Sequence, residues 1–192
     1  RGVSILLVVT FSCLIYGEDF EIKQITSGDF DARNPTINNN AFLFNQNKFF
    51  FELHNGSSIN IYCSTYDAQN NLFSDTVAVT EGSFQNINPV ADANGGVIFQ
   101  TNQNGNWDIA YKKFENGVFG DIEFLTNTPE NETNLKEVFT EPYGFDESAQ
   151  IIFQRGNSVY YLYTDSTEIY EEEVFEGTSE LNYIDPAGVN LF

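Results

Sequence analysis

Hydrophobic and polar positions alternate along most of this chain in short runs, punctuated by asparagine and glycine. Three stretches share one shape. Phe51-Glu52-Leu53-His54-Asn55-Gly56-Ser57-Ser58-Ile59-Asn60-Ile61-Tyr62 is an apolar run, a polar turn and an alternating run. Ile98-Phe99-Gln100-Thr101-Asn102-Gln103-Asn104-Gly105-Asn106-Trp107-Asp108-Ile109-Ala110-Tyr111 repeats it, and Ile152-Phe153-Gln154-Arg155-Gly156-Asn157-Ser158-Val159-Tyr160-Tyr161-Leu162-Tyr163 repeats it again. Alternation of period two sends successive side chains to opposite faces of a strand. Asn-Gly between two such runs predicts a hairpin, because both residues tolerate positive φ. After the N-terminal segment no stretch sustains apolar residues at i, i+3 and i+4, so no helix is expected.

A second element recurs in step with the hairpin: an aromatic, a short acidic strand, then a polar segment ending in Asn-Pro or a variant. Phe20 leads to Asn34-Pro35, Phe73 to Asn88-Pro89, Phe119 to Asn134-Leu135, and Tyr170 to Asp185-Pro186. The aromatics are 53, 46 and 51 residues apart, and the Asn or Asp positions are 54, 46 and 51 apart. A period near 50 built from short strands predicts β-propeller blades. The expected fold is therefore all-β, with three four-stranded antiparallel blades at about residues 34–80, 88–125 and 134–175, an incomplete ring. First strands are expected at 41–45, 89–93 and 137–143, and the connections joining fourth strands to first strands at 27–36, 81–90 and 126–137. Residues 19–26 read as the closing strand of a last blade not contained in the sequence, and 182–192 as the start of a fourth blade. The expectation is an N-terminal portion of a longer protein, with 18–192 as its partial propeller.

Composition narrows the setting. Aromatic residues are 16% of the chain, a β-rich load that argues against disorder. The formal net charge is −20, which repels nucleic-acid phosphate and anionic membrane. Arg1, an apolar run from Val3 to Tyr16, and Gly17 read as a signal peptide over 1–17, too short for a comfortable transmembrane helix. The mature chain is thus expected to be secreted, periplasmic or at the cell surface, without an integral membrane span. Cys13 resembles a lipoprotein cysteine weakly, since Thr10-Phe11-Ser12 lacks the aliphatic residue three positions before it. Cys63 lies on an alternating strand and reads as a small buried side chain.

The stretch Val97 to Tyr111 resembles the WD40-like repeat of TolB-type β-propellers, with Thr101, Gly105, Asn106 and Asp108-Ile109 matching its turn. Tyr111 falls one residue late, and Asn88-Pro89 resembles the family's opening without its second proline. The other two copies are looser. The resemblance implies a fold and a set of roles: periplasmic interaction modules, gating domains before serine peptidase domains, and repeats of secreted surface proteins. It carries no catalytic residues. The repeat landmarks are Asn34, Pro35, Asn88, Pro89, Gly105, Trp107, Asp108, Asn134, Asp185 and Pro186.

Candidate chemistry is sparse. His54 is the only histidine, it sits at a hairpin tip, and no G-x-S-x-G is present, so no triad is assigned. One His and one cysteine beyond residue 17 do not make a zinc site. Asp29, Asp31, Asn34 and Asn38-Asn39-Asn40 are rich in oxygen donors but form no calcium-loop spacing, so turn chemistry outweighs calcium. Glu171-Glu172-Glu173 reads as a solvated edge, because neighbouring strand residues do not converge. Thr101 to Trp107 lacks the aspartate of the sialidase turn, and Trp107 reads as packing before sugar stacking. The expectation is a non-enzymatic scaffold that binds a protein or extracellular ligand at its loops, with no catalytic, cofactor or metal residues assigned. The alternatives are a gating propeller of a prolyl-oligopeptidase-like hydrolase whose catalytic domain follows Phe192, and, more weakly, a carbohydrate-active propeller.

Overall fold

Backbone groups in the alternating runs find their partners in antiparallel ladders. The structure, a computed structural model, describes residues 31–37, 47–67, 69–70, 72–92, 95–137, 150–164 and 169–176. The expected signal peptide 1–17 with Cys13, the closing strand 19–26, the first strand at 41–45, most of that at 137–143, Asp185-Pro186 and the segment 182–192 lie outside the described residues.

The described residues are all-β and contain no helix. The first sheet takes β1 (Asp31–Ile37), β2 (Asn47–Asn55), β3 (Ser58–Asp67) and β4 (Leu72–Phe73) in that order, with β5 (Val77–Ala78) also paired to β3. The second takes β6 (Asn86–Ala91), β7 (Val97–Thr101), β8 (Asp108–Lys112) and β11 (Glu123–Phe124), again in chain order. Between β8 and β11 a separate hairpin pairs β9 (Phe114–Glu115) with β10 (Val118–Phe119). The third sheet takes β12 (Glu132–Glu137), β13 (Gln150–Arg155), β14 (Ser158–Thr164) and β15 (Ile169–Glu176). Every strand pairing is antiparallel, and most join neighbours in the chain, as short hairpin connections require; β8 reaches β11 across the β9–β10 hairpin and β3 reaches β5 past β4.

The turns differ from expectation in an informative way. Asn55-Gly56 and Asn104-Gly105 read as turns with both residues at positive φ, but only the glycines adopt it, Gly56 at 62° and Gly105 at 99°. Asn104 instead uses its carboxamide, donating from Nδ2 to Asp108 Oδ2 at 3.1 Å. The turn with both central residues at positive φ is Asn116-Gly117, at 51° and 85°, where Glu115 pairs with Val118.

A larger correction concerns the Asn-Pro landmarks. Read as the ends of polar connections, they lie inside the first strands. Asn34, Asn88 and Asn134 all have left-handed φ, at 47°, 52° and 56°. Each sits where the ladder slips: between Arg33 and Thr36, Ile87 and Val90, and Thr133 and Lys136. Each is therefore a β-bulge. Asparagine tolerates this conformation better than most residues, and proline's missing N–H falls in the gap where the ladder bonds are interrupted. Much of 27–36, 81–90 and 126–137 is accordingly strand, and the described connections into β6 and β12 shorten to residues 79–85 and 125–131. The outermost strands are also more broken than expected. The run 73–80 divides into β4 and β5, and 118–125 into β10 and β11.

The second sheet is covered on both faces. Phe50, Ile61, Cys63 and Val79 of the first sheet and its trailing edge pack against Ala91, Val97, Phe99 and Ala110. On the opposite face Val90, Ile98 and Ile109 pack against Leu135, Ile151, Phe153 and Leu162 of the third sheet. All five residues of β7 are therefore buried, although its side chains alternate. Cys63 is 2% exposed, and burial pushes its thiol up to about 12. No helix among the described residues is long and apolar enough to cross a membrane.

Phe99 is fully buried at the first junction, so Phe99→Ala is expected to lower unfolding free energy by about 3–5 kcal/mol in urea titration, while Val118→Ala at an exposed turn stays within about 0.5 kcal/mol. The native Cys63 thiol is expected to react with a disulfide reagent about a thousandfold more slowly at pH 7 than an ordinary cysteine, with full reactivity returning in denaturant.

Candidate functional site

The register aligns equivalent positions across the three sheets. Glu52, Gln100 and Gln154 lie opposite Arg33, Ile87 and Thr133, one residue before each bulge asparagine. Each bulge asparagine then clasps the second strand of its own sheet. Asn34 Nδ2 donates to Glu52 Oε1 at 2.7 Å, Asn88 Nδ2 to Gln100 Oε1 at 2.6 Å, and Asn134 Nδ2 to Gln154 Oε1 at 2.9 Å.

The same acceptors also reach the next sheet. Glu52 Oε1 accepts the Asn88 backbone N–H at 2.7 Å, a group the bulge leaves outside its own ladder. Gln100 Oε1 accepts the Leu135 N–H at 3.3 Å, and Gln100 Nε2 donates to the Glu132 carbonyl at 3.0 Å. Glu52 and Gln100 are 1% and 2% exposed. Asn34 Nδ2 also lies 3.4 Å from Asn88 Oδ1, so the bulges of β1 and β6 are neighbours. The sequence signal was an aromatic followed by Glu or Gln in all three hairpins: Phe51-Glu52, Phe99-Gln100 and Phe153-Gln154. Sequence reasoning passed over it because Glu and Gln on a strand read as outward-facing.

A second polar repeat closes the outer side of each junction. The Ile61 N–H donates to Thr80 Oγ1, and the Ile109 N–H to Thr126 Oγ1, both at 2.8 Å. Beside these threonines the chemistry diverges. At the first junction Asn86 Nδ2 donates to Asn60 Oδ1 at 3.2 Å. At the second, the equivalent residues are Glu132 and Asp108, each 0% exposed. Glu132 Oε1 accepts from Arg155 Nε at 2.7 Å and Thr128 Oγ1 at 2.6 Å, and Oε2 from Thr126 Oγ1 at 3.1 Å. Arg155 turns its outer two nitrogens to Glu171 at 2.7 and 2.9 Å. The Glu171 pair, ahead of Glu132, holds the Arg155 guanidinium pKa above its ordinary value. Glu171, Glu172 and Glu173 are all exposed on the edge strand β15, as the solvated-edge reading expects, and Glu171 in addition pairs with Arg155.

Asp108 receives two amide donors, Asn104 Nδ2 at 3.1 Å and Asn106 Nδ2 at 3.3 Å. Burial raises its carboxyl above the ordinary aspartate range, the adjacent Glu132 raises it further, and the two asparagines oppose the shift.

The remaining landmarks are scattered. Pro35 is exposed and Pro89 buried. Trp107 joins the hairpin to the 125–131 connection through its backbone: its N–H donates to Asn131 Oδ1, and its carbonyl accepts the Glu132 N–H. His54 Nε2 contacts Glu52 Oε2 at 2.8 Å, while nearby Ser58 donates its hydroxyl to the Asn55 carbonyl. Asp31 pairs with Arg33, and Asp29 and Asn38-Asn39-Asn40 lie outside the described residues. Among the described residues no group of three His, Cys, Asp or Glu side chains is placed to hold a metal ion.

Because three groups depend on Gln100, Gln100→Ala is expected to cost about 2–4 kcal/mol in urea unfolding, against less than about 0.5 kcal/mol for the exposed Gln103→Ala. No family model matches the chain, and no curated protein matches it.

Proposed function

We infer that the chain is a β-propeller segment of the TolB or WD40-like type, serving outside the cytoplasm as a non-enzymatic scaffold that binds a protein or another extracellular ligand. The observation that carries this reading is the bulge clasp. It recurs at Asn34–Glu52, Asn88–Gln100 and Asn134–Gln154, and it links each described sheet to the next along the first strands. Sheets joined in series at their first strands, with both faces of the middle one buried, suit blades arranged around an axis. On this reading β1, β6 and β12 are the innermost strands.

The polar groups a hydrolytic site would recruit are engaged with one another, within the sheets and between them. Glu52 binds His54, Asn34 and the Asn88 N–H. Glu132, Arg155 and Glu171 bind one another. What varies between the sheets is the connection at one end, residues 79–85 and 125–131, where Phe84 is 39% exposed and Asn127, Pro129 and Glu130 face solvent. Loops carried on a rigid frame are where binding residues concentrate.

A crystal structure is expected to place β1, β6 and β12 around a common axis; a two-sheet sandwich would overturn the propeller. Chromogenic peptide, ester and glycoside substrates incubated at pH 5 to 8 are expected to show only the buffer rate. Turnover that His54→Ala abolishes would replace the scaffold reading with an enzymatic one.

A further inference from the structure

We propose that Asp108 and Glu132 share one proton across the junction between the second and third sheets, making that junction a latch that acid tightens. The two junctions supply an internal comparison. Asn60 and Asp108 occupy the same place, each one residue before the isoleucine whose N–H donates to the junction threonine. Asn86 and Glu132 are likewise equivalent, each two residues before a bulge asparagine. At the first junction the contact is an amide hydrogen bond, from Asn86 Nδ2 to Asn60 Oδ1. Replace both carboxamides by carboxylates and the donor is gone, since ionised carboxyl groups only accept. The Glu132 N–H donates to the carbonyl of Trp107, next to Asp108, at 2.7 Å, and Thr126 Oγ1 joins the Ile109 N–H to Glu132 Oε2, so two carboxylates, each 0% exposed, are held side by side and would repel in a poorly solvated site. One retained proton restores the hydrogen bond that the amide pair makes elsewhere in the same chain.

The surrounding groups decide which residue carries it. Glu132 faces a cation, Arg155 of β13, and two hydroxyls, Thr126 and Thr128. Behind Arg155 lies Glu171 of β15. Asp108 faces neutral groups on the other sides: Asn104 and Asn106 from its own hairpin, and Thr101, its cross-strand partner on β7. Glu130 on the connection is exposed. The negative charge therefore rests on Glu132 and the proton on Asp108. This agrees with the upward shift that burial and Glu132 impose on Asp108.

The pH dependence follows from that shift. A carboxyl whose native pKa lies above its unfolded value contributes stability in full below the unfolded pKa, about 3.9, and loses it as pH rises through the native pKa. Asp108→Asn supplies the donor at every pH, as Asn86 does at the first junction. Urea unfolding of the 192-residue chain from pH 3 to 8 is expected to show Asp108→Asn matching the wild type at pH 3 and exceeding it at pH 7. The ratio of folding constants grows about tenfold for each unit by which the native pKa exceeds 3.9. Asp121→Asn removes an exposed charge and controls for general charge repulsion. Carbon-13 titration of the native carboxyl groups is expected to show Asp108 ionising above 3.9, and it decides the matter even where a variant fails to fold. An Asp108 that ionises at or below 3.9, or an Asp108→Asn profile that tracks Asp121→Asn, would overturn the shared proton.

Discussion

Each described sheet opens on a strand that breaks its own ladder at an asparagine, and the backbone groups left out of that ladder must be paired elsewhere. A buried N–H without a partner costs about 1–3 kcal/mol, so the interruption is tolerated only where another group reaches it. Glu52 reaches the Asn88 N–H, and Gln100 reaches the Leu135 N–H and the Glu132 carbonyl. Because those acceptors stand on the preceding sheet, satisfying the bulge also fixes how far one sheet slides along the next. Hydrophobic burial between the sheets is large but without direction. The clasp supplies the register in which Phe50 meets Phe99's sheet and Ile98 meets Leu135.

Around this constant backbone device the side chains at one position change character from sheet to sheet. The position two residues before each bulge asparagine, together with its neighbour on the second strand, holds Ala32 and Leu53, then Asn86 and Thr101, then Glu132 and Arg155. The series runs from apolar through polar to ionic at one backbone geometry. The polar member is the least complete: Asn86 Oδ1 and Thr101 Oγ1 are buried without a hydrogen-bond partner among the described residues. The ionic member is saturated, because the arginine fork reaches Glu132 on one side and Glu171 on the other. The fold thus constrains the bulge and leaves this position free to carry different interactions.

The all-β character and the antiparallel pairing were legible in the sequence, because alternation and glycine turns are local signals. The repeat landmarks were legible too, but their meaning was not. Asn88-Pro89 satisfies every rule for a turn, and only the pairing of Ile87 with Gln100 and of Val90 with Ile98 reveals a strand passing through it. Glu52 and Gln100 were hidden for a related reason. On a strand covered on one face an acidic or amide residue belongs outside, whereas Gln100 stands on a middle sheet with no outside face and Glu52 shares the Phe50 face turned toward that sheet. Asp108 was singled out as a turn residue, and the turn does bind it through Asn104 and Asn106. Its meeting with Glu132 joins residues 24 positions apart on different sheets, which no local pattern encodes.

The scarcity of cations bears on the same junctions. The chain has 8 Lys and Arg against 28 Asp and Glu. Two of those cations reach a neighbouring sheet, hairpin or trailing edge, and a third ties strands of the third sheet together. Lys48 Nζ lies 3.8 Å from the centre of the Phe114 ring, Lys112 Nζ donates to the Val79 carbonyl at 2.8 Å, and Arg155 joins Glu132 to Glu171. Placed there they neutralise little of the surface, so the outer field stays negative. A negative field favours proton uptake by every carboxyl, in the same direction as burial does at Asp108. The two contributions separate by their response to salt. At physiological ionic strength screening acts over about 8 Å through solvent, which weakens the repulsion among exposed carboxylates. It barely reaches Asp108 and Glu132, each 0% exposed. Salt should therefore relieve the surface and leave the proton of the buried pair where the geometry holds it.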